Sequence, residues 1–588
     1  MKKAGVPSLG HLGLLHVLLA RHTVNGIIVR KILFRSIGAR FAVKNIIVVA
    51  MVLAVLLTGS GCAKEAANPE TKPEVTQGPS KPNVIFIQLE AFQSFVLNRK
   101  VGGQEITPNL NKLIRESAYF PNFYLQNGAG ITSDAEFMSN TSLHPADASS
   151  SIAKDRADKE YPSLPRLLKK NGYSTVTLHT NSVTFWNRKE LYSALGFDSF
   201  YDKEYFGTDR SIAFGSDDDI LYDKSMKILT KQKKPFYAQV VSMSSHSPFR
   251  VPASYRSLEL PEIYQGNVAG DYLTAVHYAD AALGRFIEDL KKNGLWDESV
   301  IAIYGDHSGI TTDMVKEKQE IALKDLLGRP YDQIDAIGVP FIIHGPAVKQ
   351  GIYKAVGGHL DMMPTVLGLL GVSTDYRMFG YDLFRNVEHP VAVRASFAPP
   401  ESFVYGSEFY DSKSGLVTNV ATRKKSAATE RILRVKEQQL ARFQASDELI
   451  AALPEKKDSF GVRIEVTEEV KAYRSKDDST KPVGVYPAGT RLDTFENAGD
   501  WYRTVGSNGK AEWVKTANPI TETYRKVYNP VKTRAYVEPD TTSKSPIEIG
   551  VQNVFALQEW RGMGWYKVSN WTGQELWIQI EEESESPQ

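Results

Sequence analysis

The sequence contains almost no cysteine: Cys62 is the only one in 588 residues. A single thiol excludes an intrachain disulfide and a cluster of thiolate metal ligands. Neither sign of charge dominates, since 70 basic residues face 68 acidic ones and no stripe of lysine and arginine stands out. A nucleic acid partner is therefore not expected, because binding to phosphates along a strand needs a concentrated basic surface.

The sequence also lacks a long apolar run. Residues 46–58 form a short apolar segment behind several basic residues, which is typical of a signal peptide and short for a transmembrane helix. GSGC at 59–62 resembles a bacterial lipobox, with Gly59 in place of the usual leucine. We expect lipidation at Cys62 and a lipid anchor on the outer face of a bacterial, Gram-positive cell membrane. An uncleaved N-terminal anchor is the alternative, and both place the remaining chain outside the cytoplasm.

From residue 83, patterns typical of strands and helices alternate. The strand-like runs are residues 83–90, 174–178, 236–241, 300–304 and 339–343, and the longest helical pattern covers residues 272–292. This alternation predicts an α/β domain with a mostly parallel central sheet covered on both faces. The preceding residues 63–82 are rich in proline, glutamate, lysine and threonine and are typical of a tether.

The pattern changes after about residue 410. Residues 427–453 predict a charged amphipathic helix that either docks on the preceding domain or acts as a spacer. Beyond residue 463, short strand patterns repeat, and the pair Trp501 and Trp513 has the same separation as Trp565 and Trp577. The repeat predicts two small all-β barrels. They resemble bacterial SH3-like domains, which implies binding to the cell wall, and we expect Trp513 and Trp577 to be core residues.

Six parts are therefore expected along the chain. They are a signal and lipoprotein anchor segment at 1–62, a tether at 63–82, a catalytic domain at 83–425, a helical connector at 426–462, and SH3-like domains at 463–520 and 521–582.

One segment of the α/β region predicts a helix start suited to an anion. GAGITSDAEF at 128–137 is a glycine-relieved turn followed by Ser133 and Glu136, which have the spacing of a capping box. Thr132 would then lie at a helix N-terminus, where free N–H groups favour a phosphate. Taken alone, such a Thr-Ser-Asp sequence is more often an ordinary helix cap.

Two further segments are predicted to meet this helix start. Glu90 ends the first strand-like run, and Asp306 and His307 follow the run at 300–304. Polar residues just past the carboxyl ends of strands in an open α/β sheet collect in one crevice. Two carboxylates, a hydroxyl and one imidazole suit one divalent metal, Mn²⁺ first, with Mg²⁺ and Zn²⁺ as alternatives. A cation beside Thr132 would make its hydroxyl a better nucleophile.

Three motifs together resemble the lipoteichoic acid synthase family of the alkaline phosphatase and sulfatase superfamily. They are QLE at 88–90, GITSDAEF at 130–137 and YGDH at 304–307. The resemblance covers roughly residues 81–425 and implies an alkaline phosphatase-like α/β sandwich. The three motifs as a set are specific, whereas Gly-Asp-His alone is shared across the superfamily.

The resemblance implies a role for each site residue. The implied metal ligands are Glu90, Thr132, Asp306 and His307, with Thr132 also the nucleophile, and the implied substrate-binding residues are His179, Trp186, Arg188 and His246. Arg188 can fork onto phosphate oxygens, and His179 or His246 can bind hydroxyls or supply a proton to the leaving alkoxide. His246 is the catalytic choice in our expected site. His344, His359 and Asp361 are weaker candidates, for which packing and capping are the better explanations.

The resemblance implies transfer of a phosphoglycerol group from phosphatidylglycerol in lipoteichoic acid or related cell-envelope metabolism, through a threonine-linked intermediate. Two alternatives are a phosphodiesterase or phosphatase of the same superfamily and an inactive cell-wall-binding scaffold. A sulfatase is disfavoured, because Cys62 lies far from any Cys/Ser-x-Pro-x-Arg motif. Membrane-embedded members carry several transmembrane helices, so here a lipid anchor and tether would have to hold the enzyme near its lipid substrate.

Overall fold

The computed structural model describes residues 81–145, 151–394, 398–456, 462–498, 500–506, 511–560, 563–569 and 574–580. The signal segment, most of the tether and Cys62 lie outside these residues, so the structure does not bear on the predicted lipidation. Within the described residues, no helix combines the length and apolarity that crossing a membrane requires.

An eight-stranded sheet forms the centre of the α/β region. In spatial order its strands are Gly351–Ile352, Ala118–Tyr119, Phe341–His344, Ser299–Gly305, Asn83–Leu89, Phe236–Val241, Ser174–His179 and Ser199–Tyr201. The five strands from Ser299–Gly305 to Ser199–Tyr201 run parallel, whereas Phe341–His344 runs antiparallel to both of its neighbours. The expected mostly parallel sheet is confirmed.

Both faces of this sheet are covered, because its three central strands are buried at every position. Along the first strand, Ile85 and Ile87 pack into one hydrophobic cluster and Val84 and Phe86 into another. Successive side chains of a strand point to opposite faces, so one continuous apolar run supplies two cores. Helix Val268–Lys292 packs into the first cluster, and its observed start lies four residues before the predicted one.

The remaining elements of the α/β region are mostly short. The α-helices are Pro108–Glu116, Thr132–Thr141, Ile152–Asp155, Leu164–Lys170, Arg188–Leu195, Lys203–Phe206, Asp218–Leu229, Val268–Lys292, Glu317–Leu327, Gln333–Ile337 and Met362–Leu370. The 3₁₀ turns are Ser94–Val96, Phe185–Asn187, Ala253–Tyr255, Glu262–Tyr264, Thr312–Met314, His359–Asp361 and Leu383–Arg385. Three two-stranded pairs join Lys100–Val101 to Gln104–Glu105, Phe123–Tyr124 to Gly357–Gly358, and Ser211–Ile212 to Gly215–Ser216.

A second sheet follows the central one and was not predicted. Its five antiparallel strands are Val391–Ala392, Phe403–Tyr405, Glu408–Asp411, Leu416–Asn419 and Lys425–Ala427. Helix Glu430–Ala452 packs on it through Ile432, Val435 and Phe443. Of the two alternatives for this helix, docking is observed and a free spacer is not.

The C-terminal region is all-β, as expected. One hydrogen-bonded sheet of twelve strands contains, in spatial order, Gly484–Tyr486, Val470–Tyr473, Ala511–Lys515, Trp501–Val505, Arg491–Ala498, Arg463–Glu465, Ile520–Asn529, Gln552–Trp560, Trp565–Ser569, Glu575–Gln579, Thr533–Tyr536 and Lys544–Ile549. Two separate hydrophobic clusters lie within it.

The tryptophan repeat is also a structural repeat. Arg503 pairs with Trp513 across one strand pair, and Lys567 pairs with Trp577 in the same register across the other. Both Trp513 and Trp577 are buried, as expected for core residues. Wall binding and the SH3-like assignment remain predictions.

Candidate active site

Two of the predicted metal ligands follow neighbouring parallel strands. Leu89 pairs with Gly305 at the carboxyl ends of these strands, and Asp306 N–H donates to the Leu89 carbonyl at 3.1 Å. Glu90 and Asp306 therefore leave the sheet side by side, at the edge where open α/β sheets bind their ligands. Both side chains are buried.

Thr132 reaches the same point from a third segment. It is the first residue of helix Thr132–Thr141, and its Oγ1 lies 3.3 Å from His307 Nε2. Gly130 makes this approach feasible, because a Cβ there would lie 2.1 Å from an Asp134 oxygen. Asp134 accepts hydrogen bonds from the Gly128 and Gly130 N–H groups and so fixes the turn.

The expected capping box is not formed. The residue before the helix is Ile131, which has a positive φ of 45°, and no side chain caps the helix. Ser133 Oγ instead donates to the Gly130 carbonyl, and Glu136 points to Arg188. The prediction that Thr132 lies at the helix start is correct, but the reason given for it is wrong.

Glu90, Asp306 and His307 each direct one ligand atom into a common space, with all three atoms within 4.8 Å of one another. His307 Nε2 lies 3.1 Å from Glu90 Oε1 and 3.6 Å from Asp306 Oδ2. Glu90 Oε1 is buried, and the protein supplies no well-aligned hydrogen-bond donor to it. A buried carboxylate oxygen without a donor is what a cation would satisfy, so these residues fit a divalent metal.

The charges of this cluster oppose one another strongly. Burial disfavours the Glu90 carboxylate, but the nearby His307 and His246 bring its pKa down to about 2. Burial and the charge of Glu90 raise the pKa of Asp306 to about 8. Burial also disfavours the charged form of His307, yet Asp306 and Glu90 raise its pKa to about 9. Without a metal, protons on Asp306 and His307 offset the repulsion between the two carboxylates. A bound cation would displace these protons.

Hydrogen bonds fix the orientation of the candidate ligands. Asp306 Oδ1 accepts from the N–H groups of Ala91 and His307, both at 2.7 Å. His307 Nδ1 lies 2.9 Å from the Ser308 carbonyl, which leaves Nε2 to face Glu90 and Thr132. Such outer contacts set the tautomer and direction of a ligand side chain.

Gln88 is a site residue that the sequence reasoning missed. Its Nε2 donates to the Thr132 carbonyl at 3.2 Å and to Asp306 Oδ2 at 3.3 Å, and its Oε1 accepts from the Tyr304 hydroxyl at 2.6 Å. One buried amide therefore links the nucleophile segment to a candidate ligand. The available signal was a glutamine inside an otherwise apolar strand, where a polar side chain needs partners.

Arg188 is buried and committed to a partner. Its Nε donates to Glu136 Oε1 at 2.8 Å, and the other Glu136 oxygen accepts from the Tyr192 hydroxyl at 2.6 Å. Burial opposes the charged guanidinium, but Glu136 raises its pKa above the usual value. Glu136 therefore occupies part of the Arg188 guanidinium group, which was expected to bind phosphate oxygens. The sequence had predicted that Glu136 belongs to a helix cap.

His179 presents a free lone pair inside the protein. Its Nδ1 lies 2.9 Å from the Val241 carbonyl, to which it donates, and its buried Nε2 has no partner. Burial and the charge of Arg188 lower its pKa to about 3. His179 is therefore neutral near pH 7, and its Nε2 can accept a hydroxyl hydrogen but cannot supply a proton.

His246 and Trp186 lie nearer to solvent. The His246 side chain is 27% exposed, and its Nε2 lies 3.9 Å from Glu90 Oε1. Trp186 is half-buried with a positive φ of 58°, and Lys154 Nζ sits 4.5 Å from the centre of its ring. Of His179 and His246, His246 is therefore the histidine that solvent reaches.

The weaker candidates have structural roles, as expected. His344 stacks on Trp296 with ring centres 3.8 Å apart. His359 Nε2 lies 2.9 Å from the Gly305 carbonyl, so this histidine braces the chain just before Asp306. Asp361 pairs with His389 at 3.0 Å and accepts from the Gly358 and Tyr381 N–H groups.

Comparison with known proteins places this fold in one class. Residues 82–372 match the sulfatase family model. A solved structure described as a protein in the alkaline phosphatase superfamily, from Vibrio parahaemolyticus, shares the fold at 21% identity and a TM-score of 0.52, covering 64% of this chain and 90% of that one. The α/β region is therefore a sulfatase-type domain with an alkaline phosphatase-like fold.

More similar proteins define the family within that class. Lipoteichoic acid synthase 2 of Bacillus subtilis is 37% identical over 341 residues, which are 57% of this chain and 52% of the relative. The lipoteichoic acid synthase of Staphylococcus aureus strain NCTC 8325 is 39% identical over 325 residues, which are 54% and 49%. The chain spans about half the length of these curated relatives.

A crystal structure is matched over nearly its whole length. The lipoteichoic acid synthase LtaP from Listeria monocytogenes is 37% identical, with a TM-score of 0.60, and the match covers 64% of this chain and 94% of that one. The chain belongs to the lipoteichoic acid synthase family.

Proposed function

We propose that this protein is an extracytoplasmic, metal-dependent phosphoglycerol transferase that uses phosphatidylglycerol in lipoteichoic acid or related glycerophosphate metabolism. The observation that carries the proposal is the position of Thr132 Oγ1, 3.3 Å from His307 in the cluster that also contains Glu90 and Asp306. Relatives named as lipoteichoic acid synthases support the substrate class.

Thr132 is the nucleophile in this proposal. Thr132 first loses its hydroxyl proton to water, its oxygen attacks phosphorus, the bond from phosphorus to the diacylglycerol oxygen breaks, and a glycerophosphoryl-threonine remains. An acceptor hydroxyl, losing its proton to His246, then attacks the same phosphorus and releases Thr132 as the alkoxide. Glu90, Thr132, Asp306 and His307 would hold the divalent metal, Mn²⁺ first, which when bound stabilises negative charge on the reacting oxygens.

The histidines take different roles because their environments differ. His246, partly exposed and next to Glu90, gives a proton to the departing diacylglycerol oxygen and later removes one from the acceptor. His179 accepts a hydrogen bond from a glycerol hydroxyl through its unpartnered Nε2. Arg188, oriented by Glu136, places positive charge near the phosphate.

The decisive experiment supplies phosphatidylglycerol and Mn²⁺ to the intact protein and to Thr132→Ala. We expect diacylglycerol release by the intact protein, loss of release in Thr132→Ala, and a glycerophosphate adduct on the peptide that contains Thr132. Free glycerophosphate without any acceptor product would identify a hydrolase of the same superfamily. Active protein with no adduct at Thr132 would overturn the proposed intermediate, and no turnover at all would favour a scaffold.

A further inference from the structure

Three large apolar side chains stand exposed around the mouth of the candidate active site. Ile131 is 41% exposed, Phe185 36% and Phe214 37%. We call these three residues the apolar rim. Exposed apolar groups gathered in one place mark a binding surface more often than isolated ones do.

The rim is in direct contact with the site. Phe214 packs edge-on against His246, with ring centres 5.0 Å apart, and Phe185 stacks on Phe214 at 5.6 Å. Ile131 immediately precedes Thr132 in the chain. A surface that covers the rim would therefore deliver its own molecules to Thr132 and His246.

The backbone holds the rim outward by unusual conformations. Ile131 and Ala213, which precedes Phe214, have positive φ angles of 45° and 56°. Phe214 lies at the turn between the paired strands Ser211–Ile212 and Gly215–Ser216. A Cβ at Gly215 would lie 2.6 Å from the Thr180 backbone, so this hairpin is pressed against the wall of the site. Positive φ angles are costly for residues other than glycine, and such conformations cluster at functional sites. Their presence at Ile131 and Ala213 indicates that the outward direction of the rim side chains contributes to function.

Basic and aromatic groups border the rim. Lys154 sits over the ring of Trp186, and Trp186 packs edge-on against Phe185 with ring centres 5.9 Å apart. Arg250 is exposed in the loop that carries His246. Aromatic rings flanked by lysine and arginine are typical of protein surfaces that rest in the headgroup layer of an anionic bilayer.

We propose that the apolar rim docks on the surface of an anionic lipid bilayer and inserts its three side chains into the boundary between headgroups and acyl chains. This inference rests on the proposed function, because a phosphatidylglycerol headgroup lies at that boundary. Docking would let a headgroup enter the site without leaving the bilayer. It differs from anchoring at Cys62, because it orients the active site rather than only raising local concentration.

The single cysteine allows a local test in the full chain. Removing it with Cys62→Ala and introducing Phe214→Cys or, separately, Phe185→Cys gives one position for an environment-sensitive fluorophore. Ile352→Cys is the matched control, because Ile352 is 65% exposed but lies on the edge strand Gly351–Ile352 at the other end of the central sheet from Ser174–His179. Thr132→Ala in every protein prevents turnover of the lipid during the measurement.

Vesicles of phosphatidylglycerol and phosphatidylcholine should shift the emission at positions 214 and 185 to the blue, and the control position should not respond. Vesicles of phosphatidylcholine alone should give a shift at least several-fold weaker, because the basic border would lack its partner. Equal responses at all three positions would overturn the proposal. A shift that grows with protein concentration without vesicles would assign the rim to a second copy of the chain and also overturn it.

The outcome is independent of chemistry at Thr132. Diacylglycerol release is measured separately, on the unlabelled protein with Thr132 intact. A lipid-dependent shift at the rim of the labelled Thr132→Ala proteins, with no diacylglycerol release by the protein that keeps Thr132, would leave the docking inference standing and refute the proposed function. Diacylglycerol release from vesicles without any shift at positions 214 and 185 would do the reverse. Circular dichroism of each labelled protein shows that the comparison is made between folded chains.

Discussion

At the scale of the residue, the Gln88 side-chain amide supports the candidate site by holding two of its parts in position. It donates to the Thr132 carbonyl and to Asp306, and both acceptors are buried. A buried polar group deprived of its partner costs about 1–3 kcal/mol, and loss of an outer contact to a metal ligand typically costs about 10–100-fold in metal affinity. Gln88 is therefore a positioning residue of the proposed reaction.

Replacing this amide should weaken metal binding without unfolding the protein. Gln88→Met keeps the length of the side chain and removes both donors, so we expect Mn²⁺ affinity to fall about 10–100-fold. Titration calorimetry measures the affinity, and circular dichroism confirms the fold. Tyr304→Phe is the control, because it removes the hydroxyl bonded to Gln88 Oε1 and leaves both Gln88 donors in place. Equal losses in the two variants would show that the whole buried network, and not the Gln88 donors, sets the affinity.

At this scale the sequence predicted which residues come together at the site better than it predicted the residues that hold them in place. Glu90, Thr132, Asp306 and His307 could be predicted because each belongs to a short contiguous motif. The Glu136 pair with Arg188 joins residues 52 positions apart, and Gln88 to Asp306 spans 218. Such contacts depend on how the helix and strands come together, which one sequence does not encode locally. The same holds for His179. Its low pKa comes from burial and from the charge of Arg188, and neither can be read from the sequence around it.

The helix Glu430–Ala452 is the clearest case at the scale of the element. Its periodicity predicted a helix and left its packing open, because an amphipathic face can be buried by many partners. In the structure it lies against the α/β region at His144, whose ring packs edge-on against Phe443 with ring centres 4.7 Å apart. The His144 N–H donates to Ser446 Oγ, and Gln439 lies 3.4 Å from its Nε2.

Acid should weaken this docking through His144. Burial and the charges of Arg394 and Arg442 hold the pKa of His144 well below its usual value of 6.5. The folded protein then keeps His144 neutral while the unfolded chain takes up a proton below pH 6.5, so stability falls as pH falls. Between about pH 6.5 and pH 5 this group should remove up to about 2 kcal/mol from the free energy of unfolding.

Urea unfolding at several pH values tests this slope. His179 and His359 also have lowered pKa values and give slopes of the same sign, so the informative quantity is a difference between proteins. His144→Gln removes the titration and keeps a polar side chain beside Gln439. Its free energy of unfolding should depend less steeply on pH than that of the unaltered protein, and identical slopes would contradict the prediction.

The second sheet was missed at this scale because its strands are short. Its five strands contain two to four residues each, and Lys425–Ala427 is exposed along its whole length. A strand of that size shows no clear alternation of apolar and polar residues. The five longest strands of the central sheet were predicted, because they are longer runs in which apolar residues dominate. Its three remaining strands, of two or three residues each, were missed for the same reason as the second sheet.

At the scale of the whole molecule, the described residues of the candidate site lie in the α/β region, before the all-β region begins. The described site residues all lie between Gln88 and His307. The chain stays bound to the α/β region as far as Lys456, whose N–H donates to the Asp158 carbonyl at 2.7 Å. Beyond it, Arg463 pairs with Glu204 at 2.8 Å, an exposed ion pair of the kind that contributes about 0–1 kcal/mol.

Turnover and wall binding should therefore separate in a shortened protein. A chain ending at Lys456 keeps every described residue of the site and the docked helix, so we expect diacylglycerol release within about twofold of the full chain. It should no longer sediment with purified cell wall, because the proposed wall-binding repeats are gone. Full-length Thr132→Ala is the complementary control, which should sediment with the wall and release no diacylglycerol. If the shortened chain lost turnover while remaining folded, the all-β region would belong to the catalytic unit, and the division of labour inferred from the tryptophan repeat would be wrong.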